Sequence, residues 1–233
     1  MISSRTSRSR SGASWLAIPA LAALLSTSTG CAFTDITVHP PQPGNVVAPS
    51  NIGRGREIVV SAPFVDAREI RERCGMKKNG YNSDTADVHC AVAPNEWVAR
   101  ALADGLASSG FRVLINQEGS SPETPRVQGD VVQFFVEPKI DLFTYVPETD
   151  IGVTLHVTSP SGLAADRAFY FKAGEDTFFG TDDTFQQSAE GATKKAVAVM
   201  VRTIAELLDR YPRLGALAAP AVVSMRSENE RQP

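Results

Sequence analysis

The sequence is poor in the residues that most enzyme chemistry needs. It has 3 histidines and 3 cysteines in 233 residues, and His39, His89 and His156 fall on unrelated segments. It lacks a Gly-x-Ser-x-Gly elbow, a His-Glu-x-x-His pair and a Gly-x-x-x-x-Gly-Lys-Ser/Thr loop. Those absences remove the usual signatures of serine hydrolases, zinc peptidases and P-loop nucleotidases. No catalytic residue, resident metal or cofactor is implied. Positive charge is not in excess either, with 23 Lys and Arg against 26 Asp and Glu and a formal charge of −3. A balance of that sign leaves no footprint for nucleic acid and no basic surface for anionic lipid heads. Long apolar runs are also missing. Trp15–Leu25 is the longest early one, and its length of about 11 residues falls short of the ~20 that span a bilayer as a helix.

What is present begins with that short run. Met1–Ser14 carries Arg5, Arg8 and Arg10 and no acidic residue; small residues fill Ser26–Gly30, and Cys31 follows. A basic n-region, a short apolar h-region and a small-residue cleavage site make an export signal. Gly30-Cys31 resembles the bacterial lipobox, with Ser28 standing where most lipoboxes carry leucine. The resemblance implies a diacylglyceryl thioether on the Cys31 sulfur and an acyl group on the new amino terminus. Two or more such chains anchor a protein stably where one does not. Ala32, rather than aspartate, follows the cysteine. By resemblance to the sorting rule of enteric bacteria, that points to the periplasmic side of the outer membrane.

The rest of the chain divides by composition. Residues 1–30 read as the lipoprotein signal, 31–56 as a tether with Pro40, Pro41, Pro43 and Pro49, 57–212 as one folded domain and 213–233 as a flexible tail. A single domain of roughly 150 residues suits that length. Within the tether, Ile36-Thr37-Val38 is able to dock as a short edge strand, the place where flanking proline is tolerated. With Cys31 lipidated, Cys74 and Cys90 remain. An oxidising periplasm favours a disulfide between them, worth about 3 kcal/mol in the chain-entropy account. Free thiols are one alternative. A metal held by Cys74, His89 and Cys90 is another, although adjacent His89 and Cys90 are poorly spaced for one ion and no fourth ligand is evident.

Periodicity supplies the elements. Glu57–Val65 reads as a strand, leading into the charged stretch Asp66, Arg68, Glu69, Arg71, Glu72 and Arg73; Gly75–Ala91 reads as a polar loop with an Asn79-Gly80 turn. Asn95 is placed as an N-cap for a helix whose Trp97, Val98, Ala101, Leu102 and Leu106 share a face, ended by Gly110. Strands follow at Phe111–Ile115 and Val127–Asp141, the second with both faces partly covered. Ile151–Val157 alternates cleanly, with one buried face. Ser159–Gly162 is a hairpin turn leading to the strand Ala168–Lys172. His156 falls on the polar face, as a solvated or hydrogen-bonded side chain. Thr181, Asp182 and Asp183 then cap a helix running to Arg210. The expected fold is one α+β domain, with a mixed or antiparallel sheet of about four to five strands and two main helices on one face.

This order behind a lipobox resembles the YajG family of bacterial lipoproteins. The likeness rests on Cys31-Ala32, Ile36-Thr37-Val38, Val65-Asp66-Ala67-Arg68 and Gly110-Phe111. It continues through Thr144-Tyr145, Asp150–Val157, Gly162, Phe169 and the Phe185 helix. The Cys74–Cys90 stretch stands out as an insertion. The resemblance implies an α+β domain akin to auxiliary lipoproteins of envelope transport systems, and no defined activity. The expected function is therefore a non-enzymatic lipoprotein that binds a protein or envelope component. A lipid-handling accessory with an apolar groove between helix and sheet is the alternative. Asp66 and Arg68 are the candidate binding pair, since arginine suits bidentate contact with an acidic partner or a phosphate; the plainer reading is a solvated loop with local ion pairs. Phe143, Tyr145, Phe178 and Phe179 are candidate contacts that core packing explains equally well.

Overall fold

In a computed structural model, which describes residues 33–46, 50–141, 144–158, 164–174 and 181–210, one long strand organises everything else. The elements, in chain order, are β1 (Ile36–Val38), β2 (Glu57–Val60), β3 (Val65–Asp66), β4 (Gly75–Lys78) and β5 (Asp84–Cys90), then α1 (Pro94–Ser108). They continue with β6 (Arg112–Ile115), β7 (Arg126–Ile140), β8 (Tyr145–Thr158), β9 (Ala164–Gly174) and α2 (Asp182–Arg210). Along one edge of β7 lies β8, antiparallel from Arg126↔Thr158 to Ile140↔Tyr145, and β9 continues the meander beyond it. Along the other edge, β2, β3 and β4 dock in succession, all parallel, at Val60↔Val127, Val65↔Asp130 and Gly75↔Val136. β6 extends β2, while β5 and then β1 extend β4.

The fold is α+β with two helices, and its sheet has 9 strands among the described residues, more than expected. Three causes account for the difference. The stretch expected as a loop, Gly75–Ala91, is mostly the β4–β5 hairpin. Its strands are polar, and of β5 only Val88 is buried, so hydrophobic alternation could not reveal them. The strand β1 pairs in parallel with β5 through Ile36↔Val88 to Val38↔Cys90, burying Ile36 and Val38. Finally, the edge expected as one strand at Glu57–Val65 is broken into β2 and β3.

The core lies between the sheet's inner face and the helices. Trp97, Leu102, Leu106, Phe134, Ile151, Leu155, Phe185, Met200 and Ile204 are all fully buried there, and α1 and α2 pack on each other as well as on β7–β9. Pro94 takes the first helical position of α1 and Ala93 the cap, because proline's missing N–H costs nothing at that position. Asn95 is thus inside the helix rather than capping it, and its Nδ2 donates to the Phe64 carbonyl at 2.8 Å. Gly110, at φ +83°, reverses the chain after α1 as a left-handed residue should.

A register shift between Val131 and Gln133 marks a β-bulge in β7. It places Val131 and Phe134 on the same inner face, although they are an odd number of residues apart. Val132 is left half-exposed, and Phe135 packs on the outer face opposite Asp150. Both faces of β7 are therefore partly covered, with the phase of alternation changing midway.

Candidate functional site

Cys31 lies outside the described residues, as do the expected turn at Ser159–Gly162, the tail, and Phe143, Phe178 and Phe179. Cys74 and Cys90 are joined as a disulfide. It ties the residue before β4 to the last residue of β5, and Cys74 N–H donates to the Val88 carbonyl across the same pair at 2.8 Å. Neither sulfur is therefore free to ligate a metal. His89 instead faces Asp35 at 3.6 Å. Among the described residues, no cluster of three His, Cys, Asp or Glu side chains is arranged to hold a metal ion.

Asp66 and Arg68 come together with each other. Arg68 Nε donates to Asp66 Oδ1 at 2.9 Å and its Nη2 to Asp66 Oδ2 at 3.0 Å. Nη2 also donates to the Arg71 carbonyl and Nη1 to the Arg73 carbonyl, both at 3.3 Å. Arg68 is only 4% exposed. The guanidinium beside it holds the Asp66 carboxyl below its ordinary range against the opposing effect of burial. A cation so enclosed has no free fork to offer a partner. It closes the excursion between β3 and β4 as a local ion pair in which Arg68 is enclosed, while Glu69, Arg71 and Glu72 of the same stretch are exposed.

An open cleft of about 590 Å³ lies elsewhere, between the tip of the β4–β5 hairpin and the outer face of β7–β9. Asn79 shapes the tip: its Oδ1 accepts the N–H groups of Tyr81 at 2.9 Å and Ser83 at 3.1 Å, the side-chain turn that asparagine favours. That turn leaves Tyr81 93% exposed on the rim. Tyr145 supports the hairpin from below, its ring against Phe185 at 6.3 Å and its hydroxyl donating to the Lys78 carbonyl at 3.4 Å. The expected contact residue Tyr145 is thus a packing residue, and burial raises the pKa of its phenol.

The floor of the cleft is a row of charges crossing four strands. Lys78 on β4 pairs with Glu137 on β7, and Lys172 on β9 pairs with Glu148 on β8. Glu137 and Glu148 sit directly opposite each other in the β7–β8 register. Like charges in that position repel, and each carboxylate is compensated by a lysine on its far side. Lys172 also stands 3.6 Å from Asp150. Its ammonium pKa is raised, first by the hydrogen bond to Glu148 and then by the Asp150 charge, against desolvation. Asp150 Oδ1 is buried without a hydrogen-bond donor. The neighbouring Tyr170 phenol is pushed up by lost hydration and by the adjacent Asp150 carboxylate.

Sequence reasoning missed this site. Lys78, Glu137, Glu148, Asp150 and Lys172 span nearly a hundred positions and share no local motif. Only strand register brings them together. The one available signal was the alternation of Glu148, Asp150 and Gly152 against the buried Ile151 and Val153, which marks the outer face of β8 as charged.

No family model matches the chain, and no curated protein matches it. Solved structures do. A protein from Xanthomonas campestris, XCC0632, of the family model DUF330, is similar to 75% of this chain and 98% of its own, with TM-score 0.53 and 13% identity. A minor lipoprotein from Acinetobacter baumannii covers 71% of this chain and 98% of its own, with TM-score 0.37 and 9% identity. The first of these shows that the fold, an α+β domain on a large sheet, is shared with that Xanthomonas protein.

Proposed function

We propose that this chain is a non-enzymatic lipoprotein of the bacterial envelope, anchored through Cys31 to the outer membrane, and that its domain is a binding module. The cleft beside Tyr81 is the contact surface. The observation that carries the reading is the buried Asp150 Oδ1 at the floor of an open polar cleft, which accepts no hydrogen bond although the Lys172 ammonium stands 3.6 Å away. Buried acceptors are ordinarily satisfied, and a donor from a bound partner or bridging water supplies what the fold does not. The paired lysines and carboxylates around it form a charge-balanced surface. Such a surface suits a polar protein segment or a polar envelope component better than a polyanion.

The alternative of lipid handling needs a contiguous apolar groove. The helix–sheet space is instead filled by Trp97, Phe134, Leu155 and Met200, which favours surface binding. The resemblance to YajG lipoproteins, carried by the lipobox and the residues after it, agrees with an accessory envelope role.

The test uses the full lipidated protein in intact envelopes, with a photo-reactive amino acid at position 81. Discrete adducts that disappear in an Asp150→Asn, Lys172→Ala background support the cleft as the contact surface. Adducts insensitive to both changes, or none, overturn it. Fractionation of a Cys31→Ser variant tests the anchor separately: release from the membrane pellet is expected, and full retention there refutes it.

A further inference from the structure

The meander ends on β9, which pairs only with β8 among the described strands. Its edge is long and unbroken: 11 residues without proline and without a register shift against β8. The sheet's other free edges are short, β1 with 3 residues and β6 with 4. Proteins ordinarily shorten, bulge or cover an edge of this kind, because a row of free N–H and C=O groups templates another strand.

We infer that β9 is the interface of a twofold-symmetric dimer, in which β9 of one chain pairs antiparallel with β9 of a second copy and the two sheets become continuous. The occupant is a second copy because the strand is complementary to itself. An antiparallel pair that uses all of Ala164–Gly174 must centre on Phe169. In that register Asp166 falls opposite Lys172 of the copy, and by symmetry Lys172 opposite its Asp166. Full use of the edge and matching of opposite charge thus select the same register. Both side chains are on the outer face and more than half exposed. Lys172, already paired with Glu148 and 3.6 Å from Asp150, would receive a further carboxylate from the copy's Asp166, which His156 contacts in its own chain, and the row of charges would continue across the junction. Ala168 opposite Tyr170 leaves room for the tyrosine ring, which is 63% exposed in the single chain.

The inner side of the same edge carries Ala165, Phe169, Phe171 and Ala173 together with exposed Arg167, and it is incompletely covered. Phe169 and Phe171 stack at 5.8 Å and are only half-buried. Ser188 of α2 donates to the Ala173 carbonyl of β9, which fixes the helix flank that overlooks this strand. Val199 lies three helical turns further along that flank and is 43% exposed. Twofold pairing through β9 brings the two α2 flanks side by side and covers these groups. A surface patch that meets its own copy in this way is the isologous arrangement that closes at two subunits.

The experiment uses the full lipidated chain in detergent. Sedimentation is expected to give twice the protein mass of one chain. Ala168→Cys and Tyr170→Cys chains, purified separately and mixed under mild oxidation, are expected to form a disulfide between position 168 of one and position 170 of the other. Peptide mapping identifies the bond and shows Cys74–Cys90 intact. Each variant alone is expected to form several-fold less covalent dimer, because neither position faces itself in this register. A protein mass of one chain at micromolar concentration overturns the inference. Equal crosslinking in the unmixed samples, or slow β9 amide exchange in a monomer, which would mean that the chain covers its own edge, overturns it as well.

Discussion

Arg68 grips Asp66 with two parallel hydrogen bonds, Nε to Oδ1 at 2.9 Å and Nη2 to Oδ2 at 3.0 Å, across only two residues of chain. The arginine is almost completely enclosed, and its carboxylate partner is about a quarter exposed. Removing one partner of such a pair leaves the other uncompensated, at about 3 kcal/mol. Arg68→Ala is expected to lower the urea midpoint accordingly. Arg68→Lys should recover little, because a single ammonium cannot serve both carboxylate oxygens and the Arg71 and Arg73 carbonyls. Recovery by lysine to the parent midpoint would show that only charge matters there.

The same pair sets an acid limit. The Asp66 pKa is depressed in the folded state, chiefly by its hydrogen bond from Arg68. Its contribution is present above the unfolded value of about 3.9 and is lost as pH falls through the folded value below it. Asp66→Asn should lower stability near neutrality and flatten the decline between about pH 5 and pH 2. An unchanged acid limb in that variant would remove Asp66 from the account.

His156 works in the opposite direction. Its ring bridges Asp166 at 2.8 Å and Asp130 at 3.2 Å, and these two carboxylates raise its pKa, Asp166 most. The stabilisation is complete below the unfolded value of about 6.5 and disappears as pH rises through the higher folded value. NMR titration should place the His156 midpoint above the unfolded value of about 6.5. His156→Gln should be less stable than the parent at pH 6 and nearly equal to it at pH 9, by under about 1 kcal/mol, as befits a partly exposed pair.

These cases show why some of the molecule is legible in sequence and some is not. β8 and α2 declare themselves because each carries one buried face at a constant period, Ile151–Val157 at two residues and Phe185–Leu208 at the helical spacing. The Cys74–Cys90 bond is the pairing that an export signal and a lipidated Cys31 favour over free thiols or a metal site, and the two cysteines are joined. The β4–β5 hairpin does not declare itself, since Lys77, Lys78, Asp84 and Asp87 obscure any alternation. The bulge at Val132 shifts the phase of β7 and makes its pattern ambiguous. The candidate cleft is hidden for a different reason: Glu137 and Glu148 become neighbours through register, and register depends on the whole sheet. Asp66 and Arg68 were visible as charges, but their enclosure follows from the β3–β4 excursion, which local sequence does not encode.

Trp97 joins the two helices. Its Nε1 donates to Thr193 Oγ1 at 3.1 Å, and that hydroxyl donates to the Ala189 carbonyl at 2.8 Å. The ring also lies 5.0 Å from Phe134. Thr193→Val leaves a buried indole N–H without an acceptor, at about 1–3 kcal/mol. In a Trp97→Phe background the same change should cost less, because the donor has gone. A double-mutant cycle by urea unfolding measures the coupling. Strict additivity would mean that the hydrogen bond contributes nothing and that Thr193 matters only through its shape.

Gly75 controls whether the hairpin can reach β7 at all. A Cβ added there would lie 2.1 Å from the Val136 carbonyl oxygen, well inside the distance at which atoms repel, and the obstacle is backbone that cannot rotate aside. Gly75 pairs with Val136 on one side and Val88 on the other, and Val136 N–H donates to the Cys74 carbonyl at 2.8 Å. Gly75→Ala must therefore push β4 off β7. The expected loss is about 2 kcal/mol or more, in the range of strained or overpacked sites. Because β4 carries Lys78, the same shift should part Lys78 from Glu137 and open that side of the cleft. Gly80, at the hairpin tip, has nothing within 4 Å of an added Cβ, so Gly80→Ala should stay within about 0.5 kcal/mol of the parent. Urea unfolding ranks the two, and hydrogen exchange at the Val136 amide reports whether β4 has separated. A Gly75→Ala protein with parental stability and a protected Val136 amide would show that β4 approaches β7 less closely than this packing requires.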